Sequence, residues 1–164
     1  MNTKKLTKVG LVAAIYVVLT WILPMFSYGP IQFRISEILT LLAFYNPIYV
    51  LSITIGAFIS NIISPLGIID MFVGALHSFL SVYAMTKAKN IYLASIFPAL
   101  FSFIIAIEIL IVSDEKLSFF LITGQIMLSE FIIVSLIGVS VFKLLEKNKT
   151  FKDFVLLDGT NKVK

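Results

Sequence analysis

Residues 28–37, YGPIQFRISE, place several polar side chains in a chain that is otherwise strongly apolar. The sequence is 59% hydrophobic and 13% charged, and its mean hydropathy is +1.03. Ordinary soluble domains carry about 25% charged residues, so this composition indicates a membrane protein. Ionisable side chains within membrane segments are costly and usually face a bundle interior or a cavity. Arg34 and Glu37 are therefore candidates for a buried polar site.

Further polar residues recur along the later apolar segments, at the end or in the half of each helix that the lysine distribution described below predicts to face outward. Polar groups that share one depth on several helices predict a single outward-facing polar cavity. The candidate ligand-binding residues are Arg34, Glu37, Asn61, Asp70, His77, Glu108, Gln125 and Glu130.

Several of these residues also have a purely structural interpretation. Arg34 and Glu37 are three positions apart and can pair on the surface of one helix. Asp70 can cap a helix N-terminus, because its carboxylate accepts from backbone N–H groups there. Asn61 can serve only to hydrogen-bond across helices.

The remaining candidates differ in how strongly they favour a function. His77 stands alone on an apolar helix, where a histidine is more often a structural hydrogen-bond partner than a ligand residue. Glu108 and Glu130 have no obvious partner nearby in the sequence, which favours a functional role for both.

Proline, glycine and charged breaks divide the apolar sequence into six predicted transmembrane helices, an all-α integral membrane fold. A helix needs about 20 residues to cross roughly 30 Å of hydrocarbon, so other segments must cover the short second helix. The predicted helices span residues 5–24, 32–45, 48–63, 69–86, 91–112 and 117–147, and a polar cytoplasmic tail follows at 148–164.

The lysines predict the orientation of these helices. With six spans, both termini and the second and fourth loops lie on one side, and an excess of lysine and arginine marks the cytoplasmic side. We therefore expect cytoplasmic termini in a cell-membrane protein, and no nucleic-acid partner. That side holds Lys4, Lys5, Lys8, Lys87, Lys89, Lys143, Lys147, Lys149, Lys152, Lys162 and Lys164, and the other side holds Arg34 and Lys116.

The sequence lacks the residues that several kinds of chemistry need. The chain has no cysteine and one histidine, so we expect no disulfide and no zinc site. The sequence contains neither a P-loop nor a G-x-S-x-G nucleophile motif. A small chain with one outward cavity and no energy source of its own is typical of a binding subunit rather than an enzyme.

Two stretches carry a family resemblance. GPIQFRISEILTLLAFYNP at 29–47 and IGAFISNIISPLGIIDMFVGAL at 55–76 resemble the QueT family, the substrate-binding (S) components of energy-coupling factor (ECF) transporters. The similarity covers about residues 5–145. It implies a six-helix S-component bundle without a cofactor, and a queuosine precursor as substrate, chiefly prequeuosine-1 (7-aminomethyl-7-deazaguanine). It also implies a transmembrane coupling subunit and two cytoplasmic ATPases as partners.

A small-residue motif on the first helix fits this resemblance with one departure. S components often carry Ala-x-x-x-Ala there for docking, and this chain has Gly10-x-x-x-Ala14. Both residues are small, so a partner helix can still approach closely.

The candidate residues also suit the chemistry of a deazaguanine. Its N1–H and exocyclic amine are parallel donors that one carboxylate can accept together. Its carbonyl oxygen needs a donor such as Asn61, Gln125 or Arg34, and its aminomethyl cation needs a second carboxylate. The flat heterocycle also needs stacking partners and a lid, for which the candidates are Tyr28, Gln32, Phe33, Phe72 and Phe119, with Gly29-Pro30 shaping the loop.

Two alternatives remain open at this level. The chain is an S component for queuine or another vitamin-like ligand, or a membrane-embedded factor without a transported ligand. The sequence leaves open which queuosine precursor is preferred and which carboxylate binds which ligand edge.

Overall fold

The computed structural model describes residues 3–29, 32–113 and 118–156, and within these ranges the regular secondary structure consists of helices, without a strand. Pro30 of the predicted lid loop, Lys116 with the polar turn around it, and residues 157–164 of the predicted tail lie outside the described residues.

Four helices are long and apolar enough to cross a membrane, and two further apolar helices are shorter; the long ones are Thr3–Ile22, Ile68–Met85, Ile91–Val112 and Phe119–Leu145, and the short ones are Ile35–Tyr45 and Tyr49–Ile63. The chain is thus an α-helical membrane protein. In chain order the described helices are α1 (Thr3–Ile22), α2 (Pro24–Ser27), α3 (Ile35–Tyr45), α4 (Tyr49–Ile63), α5 (Ile68–Met85), α6 (Ile91–Val112), α7 (Phe119–Leu145) and α8 (Lys149–Val155).

The short helix α3 occupies the centre of the bundle. It packs against α1, α4, α5, α6 and α7. Its first part, Ile35–Leu41, is a 3₁₀-helix, and the polar residues Ser36, Glu37 and Thr40 within it are all buried. A helix that is surrounded by protein need not match the thickness of the lipid, which explains how a segment this short fits the fold.

The outer helices contact one another in sequence around this centre. α1 packs against α4, α4 against α5, α5 against α6 and α6 against α7, and α3 also contacts both α1 and α7. The buried side of α1 carries Val9, Val12, Ala13, Tyr16 and Thr20, at the three- and four-residue spacing that places side chains on one helix face.

Helices α1 and α4 approach each other closely at Gly56. A Cβ atom at this position would lie 3.0 Å from the Cβ of Tyr16 and 3.1 Å from its ring. Gly56 therefore lets the Tyr16 ring lie directly against the backbone of α4.

One end of the bundle is closed by α8, which belongs to the predicted polar tail. Lys8 Nζ donates to the Phe154 carbonyl oxygen (2.8 Å), and Asn46 Nδ2 donates to that of Val155 (3.4 Å). Val155 is fully buried. The start of α1, the turn at Asn46 and α8 therefore share the lysine-rich end of the molecule.

We expect Gly56→Leu to destabilise the protein by about 1–3 kcal/mol, because added methylenes in a close-packed interior force side chains and backbone apart. The free energy of unfolding in mixed micelles measures this effect. Gly124→Ala is the control, since nothing lies within 4 Å of a Cβ atom built there. A helical Gly→Ala change in open space should be neutral or stabilise by about 0.5–1 kcal/mol. Equal stability of the two variants would contradict the close packing at Gly56.

Candidate functional site

Seven buried polar side chains form a cluster to which each of the six apolar helices, or the segment before it, contributes. Each of them is at most 6% exposed. One is the cation Arg34, which interacts electrostatically with all four carboxylates of the group. We call this group the polar cluster: Tyr16 on α1, Arg34 just before α3, Glu37 on α3, Asn61 on α4, Asp70 on α5, Glu108 on α6 and Glu130 on α7.

Arg34 is held from three sides. Its Nε donates to the Ser27 carbonyl oxygen (3.1 Å), and its Nη2 lies 3.7 Å from Asp70 Oδ2. Its guanidinium carbon lies 5.3 Å from the centre of the Tyr28 ring, within the range of a cation–π contact. These contacts fix the cation at the junction of the loop before α3 with α5.

The pairing of Arg34 with Glu37 that the spacing suggested is wrong. Glu37 accepts a hydrogen bond from the Tyr16 hydroxyl, and Arg34 pairs with Asp70 instead. Arg34 precedes α3 and has extended backbone angles (φ −92°, ψ 98°). The three-residue spacing brings side chains together only when both residues are helical, so it does not apply here.

Asp70 links α5 to the end of α4. Asn61 Nδ2 donates to the backbone oxygen of Asp70 (2.9 Å) and to its Oδ1 (3.1 Å). Gly67 is the N-cap residue of α5, and no side chain caps that helix. The capping interpretation of Asp70 is therefore wrong, and the interpretation of Asn61 as a bond across helices is correct in geometry.

His77 has the structural role that its isolation suggested. Its Nε2 donates to the Pro98 carbonyl oxygen (3.1 Å) inside α6. The nearby backbone N–H of Ser102 donates to the Ala99 carbonyl oxygen (3.4 Å). Ser102 is the residue at which the regular turns of α6 are interrupted. The histidine thus gives a partner to a carbonyl in an irregular stretch of helix.

Several atoms of the polar cluster have no hydrogen-bond partner among the described residues. Buried polar atoms are almost always paired, and an unpaired buried carboxylate is costly. An excess of free acceptors favours a ligand rich in donors. The unpartnered atoms are Arg34 Nη2, Asn61 Oδ1, Glu108 Oε1 and Oε2, and Glu130 Oε2.

A cavity of about 430 Å³ adjoins the cluster, and Asp70 belongs to both. Pockets for small molecules span about 300–1,000 Å³, so one heterocyclic ligand fits. Four of the predicted site residues line it, namely Tyr28, Gln32, Asp70 and Gln125. The full lining is Tyr28, Gly29, Gln32, Ser64, Pro65, Leu66, Asp70, Ile109, Leu121, Ile122 and Gln125.

The loop over the cavity is tied to two helices. The Tyr28 hydroxyl donates to the Ser60 carbonyl oxygen on α4, and Ser129 Oγ on α7 donates to the Gln32 carbonyl oxygen (3.0 Å). Gln32 has a φ of +49°, a backbone conformation that is uncommon for residues other than glycine. Tyr28 and Gln32, on either side of residues 30–31, are therefore each tied to a helix.

Three predicted stacking residues do not line this cavity. Phe33 packs against the main apolar core, and Phe119 packs against the smaller core around Ile122. Phe72 is 63% exposed and meets Phe58 edge to face, with 5.3 Å between the ring centres. Tyr28 is thus the one proposed stacking residue on the cavity wall.

Two residues that shape the cluster, Tyr16 and Gly74, were not among the predicted site residues. Tyr16 holds Glu37, and its hydroxyl within an apolar helix was the available signal. A Cβ atom at Gly74 would lie 2.1 Å from Asn61 Nδ2 and 2.9 Å from Asp70 Oδ1. The bond between Asn61 and Asp70 therefore requires glycine at 74, one turn after the aspartate.

Comparison with known proteins assigns the family. Residues 6–147 match the model of the QueT transporter family. The chain belongs to this family. A similar protein, the queuosine precursor transporter QueT of Lactococcus lactis subsp. cremoris (strain MG1363), is 35% identical over 147 residues, which cover 79% of this chain and 85% of the relative. No solved structure matches the chain.

The family match includes every residue of the polar cluster and of the cavity wall. Within the described ranges, no three histidine or acidic residues lie close enough together to hold a metal ion. The arrangement is suited to binding an organic ligand through hydrogen bonds and charge.

We expect Gly74→Ala to displace the Asn61 amide and to destabilise the protein by about 1–3 kcal/mol, the cost of unpaired buried polar groups. A double-mutant cycle with Asn61→Ala tests the cause. Once the amide is gone, the added methyl group meets less resistance, so Gly74→Ala should cost much less in the Asn61→Ala background. Strictly additive unfolding free energies would show that the two positions do not interact.

Proposed function

We propose that this protein is the substrate-binding component of an ECF transporter and that it takes up a queuosine precursor, most directly prequeuosine-1. Membership of the QueT family and the name of the Lactococcus relative support this substrate class. The observation that carries the proposal is the polar cluster itself, in which four buried carboxylates face one arginine and several acceptor oxygens are free.

This charge balance suits a cationic, donor-rich heterocycle. The deazaguanine edge offers two parallel N–H donors, and the aminomethyl group adds a positive charge. Hydrogen bonds between such groups and a carboxylate are short and strong. An anionic ligand would meet an excess of negative charge, so the cluster itself disfavours that class.

The position of the cavity fits a binding subunit with a lid. Tyr28, Gly29 and Gln32 form one wall, and the 28–37 segment leads from this wall to Arg34 and Glu37. Its ties to Ser60 and Ser129 are single hydrogen bonds, each worth about 0.5–1.5 kcal/mol net. Tyr28 and Gln32 can each leave their helix partner at the cost of one such bond, and Tyr28 also gives up its contact with Arg34. Because the sequence lacks a P-loop, ATP hydrolysis is assigned to the two ATPase partners.

We further propose that six helices span the membrane with both termini in the cytoplasm. Lys8, Asn46 and α8 meet at one end of the bundle, and most lysines of the sequence belong to segments at this end. The positive-inside rule assigns that end to the cytoplasm, so the cavity opens outward.

The purified chain alone should bind prequeuosine-1 at close to one molecule per protein and without ATP, because the complete polar cluster lies within this chain. Isothermal titration calorimetry in detergent measures this, with prequeuosine-0, queuine and the queuosine nucleoside as comparison ligands. The order of affinities distinguishes prequeuosine-1 uptake from queuine uptake.

Glu146→Gln is a control that neutralises an acidic residue outside the polar cluster. Glu146 directly follows α7, and its carboxylate contacts Tyr45 and Lys143. The variant should bind like the wild type. Absence of binding to all four ligands by the folded wild-type protein would overturn the proposed function. Chemical turnover of a ligand would support a membrane-embedded enzyme instead.

We propose that the coupling subunit docks on the exposed face of α1. Gly10 and Ala14 are both exposed, and nothing lies within 4 Å of a Cβ atom built at Gly10. Small residues let helix backbones approach closely in lipid, where no hydrophobic driving force brings helices together. In the proposed cycle the loaded subunit reorients in the membrane against this partner and releases its ligand inward.

Gly10→Leu combined with Ala14→Leu should abolish uptake and co-purification with the partner subunits. Both positions lie on the exposed face of α1, in the half of the helix that carries the lysines and away from the cavity. Ligand affinity of the isolated chain should therefore stay within about twofold of the wild type. Pull-down and titration of the same variant separate the two effects. Normal uptake by this variant would place the docking face elsewhere.

A further inference from the structure

Glu108 differs from the other carboxylates of the polar cluster. It is 2% exposed, and neither of its oxygens has a hydrogen-bond partner among the described residues. Glu37 accepts from the Tyr16 hydroxyl, and Asp70 accepts from Asn61 and faces Arg34. Glu130 has an unpartnered Oε2. Glu108 is thus the member of the cluster that has a complete carboxylate free.

No donor among the described residues forms a hydrogen bond with Glu108. The charged groups that act on it are Asp70 on α5, which repels it, and Arg34 before α3, which attracts it. The residues beside it on α6, Ile105 and Ile109, are apolar and pack with Ile122 of α7. Ile109, the next residue along the chain, lines the cavity. Glu108 itself is not part of the cavity wall, so a ligand in the cavity reaches it by extending past Ile109. A ligand that does so can supply the donors that both oxygens of Glu108 lack.

A carboxylate with two free oxygens matches a particular ligand edge. Two parallel N–H groups, one on a ring nitrogen and one on the neighbouring exocyclic amine, can each donate to one oxygen. A single ammonium group would not need both oxygens to be free. A carbonyl group next to the ring N–H would then require a donor, and the unpartnered Nη2 of Arg34 is the donor that the cluster has free.

From this we infer that Glu108 is the specificity-determining residue for the amine-bearing edge of the heterocycle, accepting the ring N–H and the exocyclic N–H with its two oxygens while Arg34 Nη2 donates to the adjacent carbonyl oxygen. The inference rests on the proposed function and deepens it, because it assigns one ligand edge to one carboxylate. It predicts that the exocyclic amine is recognised through Glu108 and the aminomethyl group is recognised elsewhere.

A cycle that combines protein and ligand changes tests this assignment. The purified full chain is titrated with 7-aminomethyl-7-deazaguanine, with the analogue that lacks the exocyclic amine, and with the 7-cyano compound that lacks the cation. In the wild type, removal of the amine should weaken binding about 10- to 100-fold, because Glu108 loses a donor in a buried site. In Glu108→Gln, which keeps the shape but replaces one acceptor by a donor, the same ligand change should cost about threefold or less.

Glu130→Gln is the matched comparison, because it neutralises another carboxylate of the same cluster. It should keep the full penalty for removal of the amine, whatever its effect on overall affinity. Glu108→Asp retracts the carboxylate by one methylene and should reduce the penalty as well. It serves as the second variant if Glu108→Gln is not recovered as a folded protein.

Three results would overturn the inference. The first is an undiminished amine penalty in the Glu108 variants, and the second is a wild type that binds both amine-containing and amine-free ligands equally. The third is a Glu108→Gln variant that loses the preference for the aminomethyl over the cyano ligand, because Glu108 would then bind the cation. In all three cases the wild type still binds a queuosine precursor, so the proposed function stands. A wild type that binds none of the compounds overturns both.

Discussion

The guanidinium of Arg34 is buried with its Nη2 3.7 Å from Asp70 and its charge acting on Glu37, Glu108 and Glu130. A single charge inside a membrane protein is costly, and four carboxylates without a cation would be far more so. Arg34 therefore makes it possible for acidic side chains from α3, α5, α6 and α7 to converge. It is one cation among four carboxylates, and this excess of acceptor oxygens is the basis of the proposed preference for donors and cations.

The central position of α3 makes this convergence geometrically possible. A helix that spans the bilayer at the periphery exposes one side to lipid, whereas α3 contacts the five other apolar helices and buries most of its residues. Its 3₁₀ portion buries Ser36, Glu37 and Thr40, with Glu37 bound to Tyr16 and Ser36 within 2.7 Å of the Thr20 hydroxyl. Polar groups on both partners allow α3 to meet α1 without unpaired atoms along this contact. The central helix thus carries the site into the bundle interior.

The sequence predicted the parts of this arrangement that depend on composition and on position along the chain. Hydropathy indicated the membrane class, and the isolation of Glu108 and Glu130 in apolar segments indicated that they face the interior. Lateral packing was not predictable in the same way. Phe72 and Tyr28 are both aromatic residues near a turn, yet one faces outward and the other lines the cavity. Which side of a helix faces its neighbours depends on contacts between distant segments.

The Arg34–Glu37 pair shows a second limit of sequence reasoning. The rule for residues three apart assumes helical backbone at both positions, and the extended angles of Arg34 place it outside the helix by one residue. Element boundaries decide such cases, and they are the least certain part of a reading from sequence. By contrast, the need for glycine at 74 follows from Asn61 and Asp70 once both are known to meet. From the sequence alone, a glycine one turn after a buried aspartate does not show that the position requires glycine. The contact between Asn61 and Asp70 has to be known first.

The cluster also constrains how the molecule can move. Because all six apolar helices, or the segments just before them, contribute to it, sliding one helix past another would separate buried charges from their partners. Leaving a buried charge without its partner costs about 3–5 kcal/mol. Release of Tyr28 and Gln32 breaks single hydrogen bonds to Ser60 and from Ser129, together with the contact between Tyr28 and Arg34. Movement of the loop is therefore much less costly than rearrangement of the bundle. This difference favours a transport cycle in which the lid opens locally and the helices reorient together as one body, as the proposed mechanism requires.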